Sequence, residues 1–310
     1  MIITVTLNPA LDKTVLVRNF EVNHVCRVEE ARLDPGGKGI NVSKVIHSLG
    51  GRSVAVGVVG GAAGEYIRDQ LDLMGIRNDL VFSRTETRTN LKIVDPDRHT
   101  NTDINEPGAP LTVQELQEVW EKLSDLINPG DTVVFAGKNP PGMADQQLAE
   151  WITLLKQEHV KVALDTVGMP MKIGVAAGPT VIKPNQAELE ELCETELPDR
   201  EALVAAARKV VANGVEIVVV SLGADGALFV RADEALHAHG VSVPVGSTVG
   251  AGDAMMASIL WDLERGLGWE ELAVRAVAVS AANVMCSGTQ PAAAKDMEPL
   301  LYQVRVERIP

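Results

Sequence analysis

Ser247-Thr-Val-Gly-Ala-Gly-Asp253 runs straight into the apolar pattern Ala254–Leu263, a glycine-rich turn that opens onto a helix spanning Gly252–Arg265. The backbone N–H groups of Gly250, Ala251 and Gly252 then stand at a helix N-terminus, where free donors and the helix dipole make an anion hole. Beside that hole, the Asp253 carboxylate can take the proton of a substrate hydroxyl while the amides steady charge on a transferring phosphoryl group. The same residues fit a plain helix start in which Asp253 caps and the glycines only turn the chain. Taken alone, the stretch leaves both readings open.

Outward from this turn, short apolar runs recur at Ile2–Leu7, Ser53–Val59, Thr132–Ala136, Val160–Leu164, Thr180–Ile182 and Glu216–Val220. Helical patterns lie between most of them, at Gly39–Leu49, Gly64–Met74, Thr112–Leu126, Asp145–Glu158, Asn185–Leu192, Arg200–Asn213 and Trp269–Cys286. Alternation of buried strands with helices predicts an α/β fold, a doubly wound and mainly parallel sheet with helices on both faces. Two segments break the rhythm: Lys13–Leu33 and Thr87–Asn105 alternate β-branched with polar residues and hold no helix pattern. They read either as surface hairpins or as a small β-sheet lid inserted into a single domain spanning residues 1–310.

The 310 residues carry 28 Lys+Arg against 42 Asp+Glu, a formal net charge of -14. Such a field repels phosphate backbones and anionic membranes, so neither nucleic acid nor a membrane is expected as a partner, and an anionic small molecule needs a locally basic pocket. Cys26, Cys193 and Cys286 are widely spaced without a CxxC, and the six histidines show no metal-ligand spacing. These are read as reduced thiols of a cytoplasmic protein. The start has no basic leader, and no stretch approaches 18 apolar residues. The familiar phosphate-loop, dinucleotide, nucleophile-elbow and HExxH patterns are missing, so phosphate handling must be of another kind.

A second glycine cluster, Asp34-Pro-Gly-Gly-Lys-Gly-Ile-Asn41, also precedes a helix; its glycines allow close backbone approach to a ligand, and Lys38 and Asn41 supply donors. Asp12, four residues after Asn8-Pro9 begins the turn, can accept from two sugar hydroxyls, or be an ordinary surface carboxylate. Farther on, Asn185 and Glu188 sit three apart at a helix start, which suits either a hydrated metal ion or a structural capping box. Ser221-Leu-Gly223-Ala-Asp-Gly226 follows a strand and either holds nucleotide phosphates or turns a hairpin.

Together these stretches resemble the ribokinase-like PfkB family of carbohydrate kinases. Gly37-Lys-Gly-Ile-Asn41-Val-Ser43, with Gly50 and Gly60, is similar to the family's first signature and Ser247–Asp253 to its second, in the right order. Thr6-Leu-Asn-Pro-Ala-Leu-Asp12 and Gly36-Gly37-Lys38 resemble the hexose-phosphate branch, which includes 1-phosphofructokinase and tagatose-6-phosphate kinase.

That resemblance implies a ribokinase-like fold and ATP-dependent phosphorylation of a ketohexose monophosphate, fructose 1-phosphate to fructose 1,6-bisphosphate. Tagatose 6-phosphate, fructose 6-phosphate and a noncatalytic sugar-phosphate sensor are its alternatives. It implies Asp253 as catalytic base with Gly250, Ala251 and Gly252 as anion hole. For the sugar it implies Asp12, Gly36, Gly37, Lys38, Asn41 and Asn90, with Arg27, Arg88 and Lys92 on the sugar's phosphate and Arg27 reaching across a homodimer interface formed by the lids. For ATP and Mg²⁺ it implies Lys183, Asn185, Glu188, Ser221, Gly223, Gly226, Thr248 and Asn283, with Glu188 reaching the metal through water. The sequence departs from the pattern at Phe135-Ala-Gly-Lys138-Asn-Pro-Pro-Gly142, where Lys138 replaces a small hydroxyl residue and either meets the sugar phosphate or is solvated. Ser258 stands where relatives have Gly or Ala.

Overall fold

The computed structural model describes residues 1–310. The chain begins β1 (Ile2–Thr6), β2 (Ala10–Leu16), β3 (Glu30–Gly36), α1 (Lys38–Ser48), β4 (Ser53–Gly60), α2 (Gly61–Leu73), β5 (Arg77–Ser83), β6 (Thr89–Asp95) and β7 (Thr100–Asn105). It continues α3 (Val113–Leu126), β8 (Thr132–Ala136), α4 (Asp145–Gln157), β9 (Lys161–Asp165), α5 (Met169–Ala176), β10 (Val181–Ile182), α6 (Gln186–Cys193) and α7 (Arg200–Ala212). It closes with β11 (Ile217–Ser221), β12 (Ala227–Val230), β13 (Ala235–Ala238), α8 (Ala251–Glu264), α9 (Trp269–Val284), α10 (Ala294–Leu301) and β14 (Val306–Ile309).

A ten-stranded sheet has the order β14-β13-β12-β11-β10-β9-β8-β1-β4-β5. From β11 to β5 every pairing is parallel, whereas β12, β13 and β14 are added antiparallel at one edge. Parallel strands need helices on both faces, which is why their sequences are apolar throughout rather than alternating. Alternate residues divide the core accordingly. Ile3, Val5, Val133, Phe135, Val162 and Leu164 pack with Leu116, Leu123, Trp151, Ile152 and Leu203 of α3, α4 and α7. Ile2, Val134, Ala136 and Ala163 face the opposite way, onto Val45 and Ile46 of α1, Met256 and Ile259 of α8 and Ala276 of α9. The doubly wound architecture predicted from the apolar runs is therefore present.

From β1 the chain moves to β4 and β5 on one side and later returns to β8, β9, β10 and β11 on the other. Such a reversal opens a crevice at the carboxyl ends of the strands. Asn8 follows β1, Lys138 follows β8, Asp165 ends β9, Lys183 follows β10 and Ser221 ends β11.

The two rhythm-breaking segments form one separate four-stranded sheet, β3-β2-β6-β7, and not isolated hairpins. Its bounds are wider than the alternation predicted: β2 starts at Ala10 instead of Lys13 and β3 runs on to Gly36, with Ala10 opposite Gly36. The alternation fades there because Ala10, Leu11, Asp34, Pro35 and Gly36 turn inward to the main body and are buried. The sequence reading also omits β5, α5 and α10, and of the antiparallel strands β12 to β14 it has only two hints, the hairpin option at Ser221–Gly226 and an alternation of His237 with His239 along a strand. Those three strands are short, at four residues each. Periods in so short a run are indistinct.

Candidate active site

A cavity of about 630 Å³ lies between the carboxyl ends of the main sheet and the face of the small sheet. Five cationic side chains line it (Lys38, Arg88, Lys92, Lys138 and Lys183) with five carboxylates (Asp12, Asp103, Asp165, Glu188 and Asp253). In a chain of net charge -14 this neutral balance makes the crevice locally basic relative to its surroundings.

Asp253 stands in the first turn of α8 at the cavity wall, only 6% exposed. Gly250 precedes the helix with φ 84°, a left-handed conformation that costs glycine little and other residues more. The capping alternative for Asp253 fails, since no side chain caps this helix start. Its Oδ2 instead accepts a hydrogen bond of 2.9 Å from Asn41 Nδ2 on α1. Burial and the neighbouring Asp165 push the Asp253 pKa up to about 6, while Lys38, the Asn41 bond and Lys183 pull the other way. A side-chain Cβ at Gly252 would sit 3.1 Å from Lys183 Nζ, so the lysine ammonium lies close against the first turn of α8. Backbone donors and a cation thus converge beside a carboxylate whose pKa lies just below neutrality.

Asp165, which the motif analysis missed, is the hub of this wall. It is 1% exposed, accepts from Lys38 Nζ at 2.8 Å and lies 3.4 Å from Lys183 Nζ. Burial opposes its charge, but the two lysines outweigh it and hold the carboxyl below the ordinary range. Lys38 is raised in turn, because Asp165 and Asp253 overcome its burial. An acidic residue ending a buried strand at Asp165 was the only available signal. Lys44, also missed, is wholly buried and donates to Pro35 O at 2.9 Å and to Asn41 Oδ1 at 3.1 Å. That second bond fixes the Asn41 amide so that its nitrogen faces Asp253.

On the small-sheet side, Asn90 donates to Asp12 Oδ1 at 2.9 Å, and burial raises the Asp12 pKa. Arg88 spends three N–H groups on the carbonyls of Pro9, Asn8 and Glu106 at 3.2, 3.1 and 3.0 Å, leaving part of its fork for the cavity. Lys92 Nζ reaches Ser247 Oγ at 3.0 Å, so the sheet already touches the glycine-rich turn. Lys138 is exposed at the rim.

At the opposite end, Asn185 and Glu188 make the capping box: Asn185 Oδ1 accepts from Glu188 N and Glu188 Oε2 from Asn185 N, each at 2.9 Å. Both still line the cavity with Ser221. The structural and ligand-facing readings of this pair are therefore compatible, because the box occupies one Glu188 oxygen and leaves the other.

Gly37 and Asn41 join Asp12, Lys38, Asn90, Gly250 and Gly252 along the lining. Gly36, Ala251, Thr248, Asn283, Gly223, Gly226 and Arg27 do not line it. Ala251 N lies 3.4 Å from Thr248 O, and Gly223 and Gly226 turn the β11–β12 hairpin through a Leu222 N to Gly226 O bond of 2.8 Å. Arg27 is exposed on the long β2–β3 connection, outside the cavity of its own chain.

The chain is similar to known proteins over most of its length. A 1-phosphofructokinase of Xanthomonas campestris pv. campestris is 39% identical over 265 residues, 83% of this chain and 82% of that protein. One of Rhodobacter capsulatus is 38% identical over 280 residues, 90% of this chain and 89% of its own. Among solved structures, phosphofructokinase-2 from Escherichia coli in complex with substrates and products superimposes with a TM-score of 0.94 at 30% identity, covering 97% of this chain and 98% of that one. The fold is thus ribokinase-like. With the pfkB family carbohydrate kinase pattern matching residues 5–296, nearly end to end, the chain belongs to that family of sugar kinases.

Proposed function

We propose that this kinase transfers the γ-phosphoryl group of ATP to a free hydroxyl of fructose 1-phosphate, giving fructose 1,6-bisphosphate. The observation that carries the reading is the buried Asp253 carboxylate in the first turn of α8, in a cavity also lined by Arg88, Lys92 and Lys138. Relatives named 1-phosphofructokinase that span most of the chain support the choice of sugar phosphate.

In this reading Asp12, Asn41 and Asn90 hold the sugar hydroxyls between Gly37 and the small sheet, while Arg88, Lys92 and Lys138 meet the phosphate already present. Asp253 accepts the hydroxyl proton as the oxygen forms its bond to the γ-phosphorus and the bond from that phosphorus to the bridging oxygen of ADP breaks. The amides of Gly250 and Gly252, with Lys183, face the charge that collects on the transferring group, so positioning and electrostatics supply most of the rate. ATP lies toward Asn185, Ser221 and the Gly223–Gly226 turn, near Thr248 and Asn283.

The donor set also fits Mg²⁺. Glu188 has an oxygen left over from its capping box, a hard donor suited to a hydrated magnesium ion, while Asp165 Oδ2 faces Lys183 Nζ at 3.4 Å. When bound, Mg²⁺ neutralises phosphate charge. We further place the protein in the cytoplasm, where ATP is available; no helix is long and apolar enough to cross a membrane.

The small sheet supports a lid that pairs between two copies. The connection carrying Arg27 exposes Val22 at 77%, Val25 at 94% and Val28 at 54%, and Ile104 on the edge strand is 52% exposed. A homodimer would cover this apolar rim and bring one copy's Arg27 toward the other's cavity.

The assignment of Asp253 is tested by Asp253→Asn. Calorimetry should find fructose 1-phosphate binding retained while kcat falls by roughly 10²–10⁴, the usual worth of a general base. A kcat within about tenfold of the unmodified enzyme would remove Asp253 from the chemistry.

A further inference from the structure

At the antiparallel edge of the large sheet, outside the cavity described above, two imidazoles and a carboxylate meet. His237 lies in β13 and His239 directly after its end, with ring centroids 4.0 Å apart. The register of β13 on β14 sets Glu307 directly opposite His237. The donor atoms of all three lie within 4.8 Å of one another, and His239 Nε2 is 3.5 Å from Glu307 Oε2.

The state of His237 follows from its partner. Its Nε2 lies 2.9 Å from the Asp225 carbonyl oxygen. A carbonyl can only accept, so Nε2 carries the proton and Nδ1 is a bare lone pair. His237 is 7% exposed, and that Nδ1 is buried with no hydrogen-bond partner. An unsatisfied buried acceptor is rare and calls for a partner. An imidazole whose one nitrogen donates to a carbonyl while the other points at further ligands is the usual arrangement of a metal-bound histidine.

We propose that His237, His239 and Glu307 form a binding site for a zinc-class transition dication. Ligand atoms on one tetrahedral Zn²⁺ lie about 3.3 Å apart, so modest side-chain rotations close the set. A fourth, water-filled position would open into a neighbouring cavity of about 410 Å³ lined by both histidines, Arg200, Leu222 and Asp225. Two nitrogens and one oxygen favour zinc over the all-oxygen Mg²⁺ used by nucleotides. Arg200 holds Glu307 Oε2 at 3.0 Å and is the cation the metal must share this carboxylate with. Because His237 is fastened to Asp225, an occupied site ties β13 and β14 to the Gly223–Asp225 turn that begins just after Ser221 of the main cavity.

Spacing on the chain conceals the trio, since Glu307 is 68 positions beyond His239 and only the sheet unites them.

The test is calorimetric titration of ZnCl₂ into the full-length protein in millimolar MgCl₂, beside His239→Ala, a half-exposed position at which the fold should tolerate truncation, and a variant with all three cysteines changed to serine. One zinc per chain is expected for the unmodified protein and the cysteine-free variant, with affinity at least tenfold weaker in His239→Ala and zinc-dependent thermal stabilisation lost there. No stoichiometric binding, equal affinity in His239→Ala, loss of binding in the cysteine-free variant, or displacement by Mg²⁺ would each overturn the proposal.

Discussion

Asp253 combines two demands that conflict in an ordinary protein: a charge buried without an ion-pair partner of its own, and enough basicity to receive a proton near pH 7. Its pKa of about 6 means the carboxylate form prevails at neutral pH, so kcat/KM should fall as pH drops through about 6. A profile flat from pH 7.5 to 5 would contradict the assignment. The same shift has a stability sign. A carboxyl whose folded pKa exceeds the unfolded value, near 3.9, contributes stability that is fully present below that value and is lost as pH rises through about 6. Asp253→Asn should therefore raise the unfolding free energy at pH 8, by up to roughly 2–3 kcal/mol, with the gain shrinking toward pH 4. Lys44 acts on this carboxylate at one remove, by orienting Asn41 and by its own positive charge; burial lowers its pKa to about 8, against the pull of Asp34, Asp12 and Asp253. Lys44→Met should cut kcat by about tenfold and move the acidic limb of the profile upward, since a charge favouring the carboxylate is gone; an unmoved limb would make Lys44 merely structural. Asp253 was legible because a glycine-rich turn announces it, whereas Asp165 and Lys44 lie in unremarkable strand and helix patterns and gain meaning only from the lysines and amides that the fold brings to them.

At the level of elements, α8 and α9, which would hold the proposed anion hole in place, share a polar joint inside an otherwise apolar interface. Asp262 is fully buried, accepts from Arg275 Nε at 2.9 and 3.0 Å, and takes a third bond of 3.1 Å from Ser258 Oγ. The departure at Ser258 thus has a structural use: it satisfies a carboxylate that burial pushes up in pKa and Arg275 pulls down. Truncating one partner strands the other's charge, so Arg275→Ala should cost about 3–5 kcal/mol in urea unfolding. A loss below about 1 kcal/mol would mean that water replaces the arginine. The small sheet has its own joint at Asp95, which accepts from the backbone N–H groups of Asn19, Phe20, Asp97 and Arg98 at 2.8 to 3.2 Å. Long buried strands and capped helices were readable from periodicity. The sheet's inner ends were not, because residues 10–11 and 34–36 are buried by the main body and lose the polar alternation that marks a half-exposed strand.

For the whole molecule, topology explains why distant sequence stretches serve one reaction: the reversal at β1 gathers loop after loop at the same edge, and the small sheet covers them from above. Composition required that an anionic ligand meet a locally less acidic pocket, and the cavity's five cations balance its five carboxylates in a chain of net charge -14. What no composition reveals is which exposed surface meets another copy. If the rim of the small sheet pairs two chains, Val25→Glu should turn a dimer into a monomer in light scattering and lower the apparent affinity for the sugar phosphate, because Arg27 of the other copy is withdrawn. A dimer unchanged by Val25→Glu would place the interface elsewhere. The most direct measurement of the central claim is the rate of ADP release from MgATP with fructose 1-phosphate, tagatose 6-phosphate, fructose 6-phosphate and the corresponding free sugars, repeated with Lys138→Ser. Turnover should be strongest on fructose 1-phosphate and weak on every unphosphorylated sugar, with the preference shifting in Lys138→Ser. Equal or better turnover on free sugars would contradict the account, since it would leave Arg88, Lys92 and Lys138 without a phosphate to hold.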